Sequence, residues 1–256
     1  MAHTVWIGNI HFRDINIPVK LHSSVMQNRI QFHLLHRTDM VRLRQQMICA
    51  YEKIPVASEE EVKGFRVDER KYILMDPAEL EESEPEKSRM IEVHEFVKSG
   101  EIDPVYLERT YYLEPGVTDN RSYSTLADAL DETGMQGICT WVMKKKAYLG
   151  AIRSDGKTLK LSTLRYADEI IEVKSLGIEV FTLSEKELEI AGELIEKLTV
   201  NFQPEKYRNE HQQKLKELIK LKTRGGKVAV IKPRSRRTTP PDNLLEVLEE
   251  SLRNVK

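Results

Sequence analysis

The sequence predicts an α+β, β-rich protein, and three observations carry that expectation. Apolar residues alternate with polar ones through residues 4–22, TVWIGNIHFRDINIPVKLH, which is the period of half-buried strands. Two turn signals punctuate residues 137–161, so that stretch reads as a continuous β-meander. After Ser184 the apolar period changes to that of an amphipathic helix.

The elements follow in chain order. Trp6, Ile10 and Phe12 mark a first strand, and Ile15, Ile17 and Val19 a second, with Asp14 and Asn16 supplying the bend. Pro18 has no N–H to give to a ladder, which places the second strand at an edge or delays its start. The first half continues β-rich apart from a carboxylate-heavy interval, residues 76–86, read as a short helix and its connections. Residues 122–133 switch to a helical period. Tyr123, Leu126, Ala127 and Leu130 share one face, and Gly134 can take the left-handed conformation that ends a helix. Strands over 137–143 and 147–153 are joined by Lys144, Lys145 and Lys146, three adjacent ammonium groups that need solvent or an anionic partner. Ser154-Asp155-Gly156-Lys157 turns the chain into a strand through Leu159 and Leu161. Ser184 with Glu187 is a capping-box signature, followed by a stripe of Leu188, Ala191, Leu194, Ile195 and Leu198. A second helix is expected from about Pro204 to Thr223, with Tyr207, Leu215, Leu218 and Ile219 facing inward and Gly225-Gly226 ending it.

A chain of 256 residues at 40% hydrophobic sustains one substantial core, or one domain with elaborations. Cys49 and Cys139 are too few for a disulfide framework, and no apolar run approaches the length that spans a bilayer. Residues 1–20 lack the charged and apolar regions of a signal peptide, so the reducing cytoplasm is the expected compartment, with no membrane partner. The net charge of −1 conceals an asymmetry: residues 1–204 carry 26 Lys/Arg against 34 Asp/Glu, and residues 205–240 carry 12 against 3. An acidic body with a basic tail is a footprint of polyanion binding, because each neutralised phosphate releases condensed counterions. A solvated charged helix followed by a disordered linker accounts for the same asymmetry equally well.

Residues 227–241, KVAVIKPRSRRTTPP, have too few apolar residues to fold and read as an extended basic linker. Its Lys227, Lys232, Arg234, Arg236 and Arg237 can meet phosphates without fixing a sequence register; Lys222 and Arg224 just before it extend the same basic run. Residues 242–256 resume a helical period, with Leu244, Leu245, Leu248 and Leu252 on one stripe. One short helix on a linker is marginal in water, so it must dock on its own core or in a partner's groove.

Catalytic motifs do not stand out. Arg224-Gly225-Gly226-Lys227 lacks the spacing of a P-loop. His33 and His36 with Cys49 are a weak metal signal, and a satisfied polar role is the more economical account. Carboxylates are too abundant for one pair to be singled out, and a binding protein, not an enzyme, fits this pattern; no cofactor is implied.

Residues 4–22 resemble the opening of the bacterial Ku proteins, and further blocks are similar in the same order: IQFHLLHR (30–37), EEVKGF (60–65), EKSRMIEVHEFV (86–97), EIDPVYLERTYYLEP (101–115), LRYADEI (164–170) and FQPEKYRNEH (202–211). The resemblance implies a Ku-type β-barrel core over 1–226, with a bridge insert at about 21–74 and a helical arm at about 184–224, then the 227–241 linker and the 242–256 docking helix. It implies a homodimeric ring that threads onto double-stranded DNA ends without base readout, near the bacterial nucleoid, and recruits an ATP-dependent repair ligase of the ligase D type in non-homologous end joining. Arg29, Arg37, Arg42, Arg44, Lys63 and Arg66 become candidates for the ring interior, with Lys144, Lys145 and Lys146 beside them, and Leu244, Leu245, Leu248 and Leu252 for ligase docking. Two departures are visible. Gln31 stands where relatives often have Arg, and Met47-Ile48-Cys49-Ala50 replaces a frequent Cys-x-x-Cys pair, which argues against zinc. The alternatives are a nucleic-acid-processing enzyme such as a nuclease, or a β-barrel interaction module whose basic tail binds nucleic acid nonspecifically.

Overall fold

The structure, a computed structural model, describes residues 3–26, 29–116, 120–178 and 184–225. It divides into two compact units, one of Met1–Asn28 with Phe32–Glu172, the other of Arg29–Gln31 with Val173–Lys256.

The first unit is built on a closed barrel. Its strands are β1 (Thr4–Phe12), β2 (Ile15–Ser23), β5 (Met90–Lys98), β6 (Leu107–Pro115), β7 (Met135–Met143), β8 (Lys146–Asp155) and β9 (Thr158–Leu164), arranged β1-β2-β6-β9-β8-β7-β5. Every neighbouring pair is antiparallel except the closing one, where β1 runs parallel to β5 over Asn9↔Met90, Ile10↔Ile91 and His11↔Glu92. The alternation in the sequence is the alternation across the barrel wall. Ile10, Ile17, Val19, Leu21, Ile91, Leu113, Leu159 and Leu161 all point inward and are at most 1% exposed, each contributing about 2 kcal/mol through burial.

Helix α2 (Asn120–Thr133) packs its Tyr123, Leu126, Ala127 and Leu130 face against β7 and β8, as its period predicts. The Tyr123 hydroxyl donates to the Leu113 carbonyl at 2.6 Å and accepts from the Leu159 amide at 2.8 Å. It thereby satisfies a carbonyl of β6 and an amide of β9 where these strands pair at Leu113↔Leu159. Burial pushes the pKa of this phenol up, so it stays protonated and keeps its donor.

Several boundaries differ from the sequence expectation. Pro18 is not on an edge, since β2 pairs with β1 on one side and β6 on the other. Its carbonyl accepts from the Gly116 amide at 2.8 Å, so the missing N–H faces the point where β6 ends, and pairing with β6 begins at Val19. The first turn is Arg13-Asp14, with Arg13 at φ 55°, while Asn16 lies within β2 and bonds His11 at 2.9 Å. Lys146 belongs to β8, which leaves Lys144 and Lys145 as a two-residue turn with both φ positive (52° and 65°). That is a type I′ geometry usually filled by Asn-Gly, and each lysine in it costs on the order of 1 kcal/mol. In the next hairpin Gly156, at φ 70°, leads the two-residue turn between Asp155 and Thr158.

Between β2 and β5 the chain leaves the barrel. Leu21 is fully buried in β2, so the insert starts at Ser24 and not at 21. It contains two small ladders, Leu35↔Arg42 and Ile48↔Pro55, then the hairpin β3 (Lys63–Asp68) with β4 (Lys71–Met75), and helix α1 (Pro77–Glu82) capped by Asp76. Hardly any of its side chains is buried. In the second unit, α3 (Glu185–Leu198) starts at the Ser184 capping box as expected. The following helix starts later than Pro204: residues 204–206 form a 3₁₀ turn, and α4 (Glu210–Thr223) begins behind Asn209, whose side chain accepts from the Gln212 amide at 3.0 Å. Tyr207 therefore lies outside the helix and is exposed, stacked on Phe202 with ring centroids 5.8 Å apart. The stripe on α3 is only half covered within the chain, with Ala191 and Leu194 intermediate and Leu188, Ile195 and Leu198 exposed. On α4, Leu215 and Leu218 are intermediate and Ile219 is 38% exposed.

Tyr123→Phe removes one hydroxyl and orphans a buried amide and a buried carbonyl. We expect a loss of about 1–3 kcal/mol in urea unfolding, whereas an unchanged midpoint would mean that water or a strand shift satisfies both groups.

Candidate nucleic-acid interface

The candidate cations gather in the insert. Between Arg29 and Arg44 there are four arginines and one carboxylate, Asp39, and Asp39 is held by His36 at 2.9 Å. The first small ladder is tied by the Leu43 amide donating to the Leu34 carbonyl at 2.9 Å and the His36 amide donating to the Val41 carbonyl at 2.8 Å. Its turn passes through Met40 at φ 57°. This ladder brings Arg42 and Arg44 to one cleft of about 940 Å³, lined also by Phe32, His33, Leu34, Val41, Leu43 and Gln45. Arg37 is exposed at the turn end of the same ladder. A cleft bearing two arginines is suited to phosphate oxygens, which a guanidinium can meet with paired N–H donors.

The β3–β4 hairpin carries the other two insert candidates. Lys63 pairs with Met75 at its base, and Arg66 pairs with Tyr72, its Nε donating to the Asp68 carbonyl at 3.2 Å. Both cations are exposed. Lys144, Lys145 and Lys146 are exposed on the β7–β8 hairpin, but Lys145 is engaged: its Nζ lies 2.9 Å from one Glu84 oxygen and 3.0 Å from the other. That carboxylate holds the pKa of the ammonium above its ordinary value, with Glu81 adding to the field. Arg29 belongs to the second unit, as do Lys222 and Arg224, exposed at the end of α4. The expected contacts of Lys227, Lys232, Arg234, Arg236 and Arg237, and the docking stripe of Leu244, Leu245, Leu248 and Leu252, lie outside the described residues.

The insert's apolar side chains are as notable as its cations. Phe32 is 67% exposed, Leu34 72%, Tyr51 92% and Phe65 67%, with Val41, Met47, Ile48, Ile73 and Leu74 also open. Apolar side chains exposed in this number are unusual for a surface that faces only water. Two further features each join distant segments, so no local pattern in the sequence pairs their residues. One is the Lys145–Glu84 contact; the other is an apolar cleft of about 570 Å³ between α2 and the β1–β2 hairpin, lined by Phe12, Ile15, Phe96, Leu130 and Met135 with Arg121 at its border. Among the described residues, no group of three or more His, Cys, Asp and Glu stands where it could share a metal ion, and no helix is long and apolar enough to cross a membrane.

Comparison with known proteins gives the geometry a family context. The model of the Ku70/Ku80 beta-barrel domain matches residues 11–190. The chain is 57% identical over 252 residues to Non-homologous end joining protein Ku 2 of Geotalea uraniireducens, covering 98% of each chain. It is 35% identical to Non-homologous end joining protein Ku of Koribacter versatilis, covering 100% of this chain and 88% of that one. Ku 1 of Geotalea uraniireducens is 32% identical, with 98% and 97% covered.

The two thiols report separately on insert and barrel. Backbone amides of Glu52 and Tyr51 lower the pKa of Cys49, which is partly exposed in the second small ladder, whereas burial raises that of Cys139 in β7. A maleimide at neutral pH should label Cys49 in the native protein and Cys139 at least about a hundredfold more slowly, on unfolding. Equal rates by peptide mass mapping would contradict the buried position of Cys139.

Proposed function

The chain belongs to the Ku β-barrel family, and on that premise we propose that it forms a homodimeric ring that binds double-stranded DNA ends without sequence specificity. It protects those ends and recruits an ATP-dependent repair ligase of the ligase D type in non-homologous end joining, in the cytoplasm beside the nucleoid, as a scaffold and not an enzyme. The observation that carries this reading is the insert, which combines an arginine-bearing cleft with exposed apolar side chains in one segment that has left the barrel. Burial of those apolar groups favours a second copy, and the cations favour phosphate. Arg29, Arg37, Arg42, Arg44, Lys63 and Arg66 are the proposed ring-lining contacts, with Lys144 and Lys146 nearby and Lys222, Arg224 and the 227–237 cations trailing the duplex. The 242–256 segment is the proposed ligase-docking helix.

A ring that meets only sugar and phosphate gains its retention from topology, since it leaves only by sliding back to an end. Gel shifts at near-physiological salt should therefore show binding to linear duplex, absence of binding to covalently closed circles of identical sequence, and trapping when the ends are sealed afterwards. Equal binding to both forms would assign affinity to simple phosphate attraction. Reversing Arg42, Arg44 and Lys63 together to Glu should abolish the linear complex; partial neutralisation to Gln should lower the slope of log K against log salt by about 0.9 for each phosphate left without its cation. Leu248→Asp or Leu252→Asp should remove ligase stimulation and leave DNA binding intact, and normal stimulation would overturn the docking role of that helix.

A further inference from the structure

We propose that Lys145 is a positioning residue: it braces the end of α1, and through it the base of the β3–β4 hairpin, against the barrel, and it does not contact phosphate. The β3–β4 hairpin needs such a brace. It is a two-stranded sheet in which every residue except Met75 is exposed, and an isolated pair of strands is marginal in water. Its base continues directly into α1, because Asp76 caps the helix immediately after Met75, accepting from the Ala78 amide at 2.9 Å while Glu79 accepts from the Asp76 amide at 3.0 Å. Glu84 follows α1 in a tight turn, its amide donating to the Glu81 carbonyl at 3.2 Å. An unbroken run of cap, helix and turn hydrogen bonds thus connects the Glu84 turn to the end of β4.

From the barrel side, the β7–β8 tip reaches this carboxylate. Both turn lysines hold positive φ, and Lys145 places its ammonium between the two Glu84 oxygens. Val62, Lys63, Met75, Leu80, Glu84 and Lys145 line one cleft of about 320 Å³, so the hairpin base, the helix and the barrel tip share a single contact region. Among the described residues, no other ion pair joins the insert to the barrel strands. Lys144 and Lys146 have no ion-pair partner among the described residues. The three adjacent lysines thus divide into one inward strut and two outward charges.

The inference concerns the DNA-binding reading above, and its first test does not depend on that reading. In the full chain, Lys145→Gln and Glu84→Gln should each speed hydrogen exchange of the β3–β4 ladder by about two- to fivefold, the scale of an exposed ion pair. The double exchange Lys145→Glu with Glu84→Lys should restore protection. Unchanged exchange in both single variants overturns the strut, whatever DNA does. The second test titrates a linear duplex against salt. Lys145→Gln should weaken binding by about two- to fivefold with an unchanged salt slope, and the charge-swapped pair should recover affinity. A slope lower by about 0.9 for the one lysine removed, or tighter binding by Glu84→Gln, would make Lys145 a phosphate ligand and overturn the proposal. If the wild-type chain bound no linear duplex, the end-binding reading would fall while the exchange result still decided the strut.

Discussion

The seam between β1 and β5 is the constraint on which the rest of the molecule depends. It is a parallel pairing of three residue pairs in an otherwise antiparallel barrel, and it is what turns a curled sheet into a closed one. The Asn9 amide donates to the Arg89 carbonyl at 2.9 Å, just before β5 begins. That approach requires a glycine beside it, because a β-carbon on Gly8 would stand 2.2 Å from the same carbonyl and 2.1 Å from the Trp6 ring. The Trp6 indole in turn donates to the Val142 carbonyl of β7 at 3.1 Å, so one side chain spans the seam and the strand beyond it. Parallel neighbours cannot be joined by a tight turn and need a long crossover. Here the crossover is β2 together with the insert, and since the interior is already filled by the strands and α2, the insert stays outside the core.

Expulsion from the core explains why the insert has the composition it does. A segment with no interior of its own satisfies its backbone through small ladders, as at Leu35↔Arg42 and Ile48↔Pro55, and leaves its side chains exposed. Its apolar residues gain only when covered, and its arginines gain only when they meet anions.

What is legible in the sequence follows from the same division. Ile10, Ile17, Val19 and Leu21 announce their strands because one side of a barrel wall is uniformly dry, and Tyr123, Leu126, Ala127 and Leu130 announce α2 because that helix lies on the dry side. Local chemistry is equally readable at Ser184 and Gly134. Pro18 misleads because a missing N–H suggests an edge for the whole strand, when it faces only the end of β6. Pro204 misleads because a proline allowed in a first turn does not extend a helix: Asn209, six positions after the segment's Gln203, offers the stronger cap. The closing register of Asn9 with Met90, and the meeting of Lys145 with Glu84, join residues far apart in the chain with no local pattern to mark them. The stripes on α3 and α4 declare amphipathic helices but say nothing of what covers them.

Under the reading proposed above, cations and apolar side chains in one segment would couple two equilibria. In the homodimer proposed above, burying the apolar residues of two inserts brings two sets of arginines toward each other. At physiological salt the screening length is about 8 Å, so like charges across a ring wide enough for a duplex repel weakly, while those nearest the subunit contact repel appreciably. Duplex phosphates entering the ring would remove that repulsion. Binding energy drawn from phosphate would then serve in part to stabilise the ring, and ring assembly and end binding would be linked by a coupling free energy that acts in both directions. Such a coupling would need no base contact, because phosphate charge alone enters it.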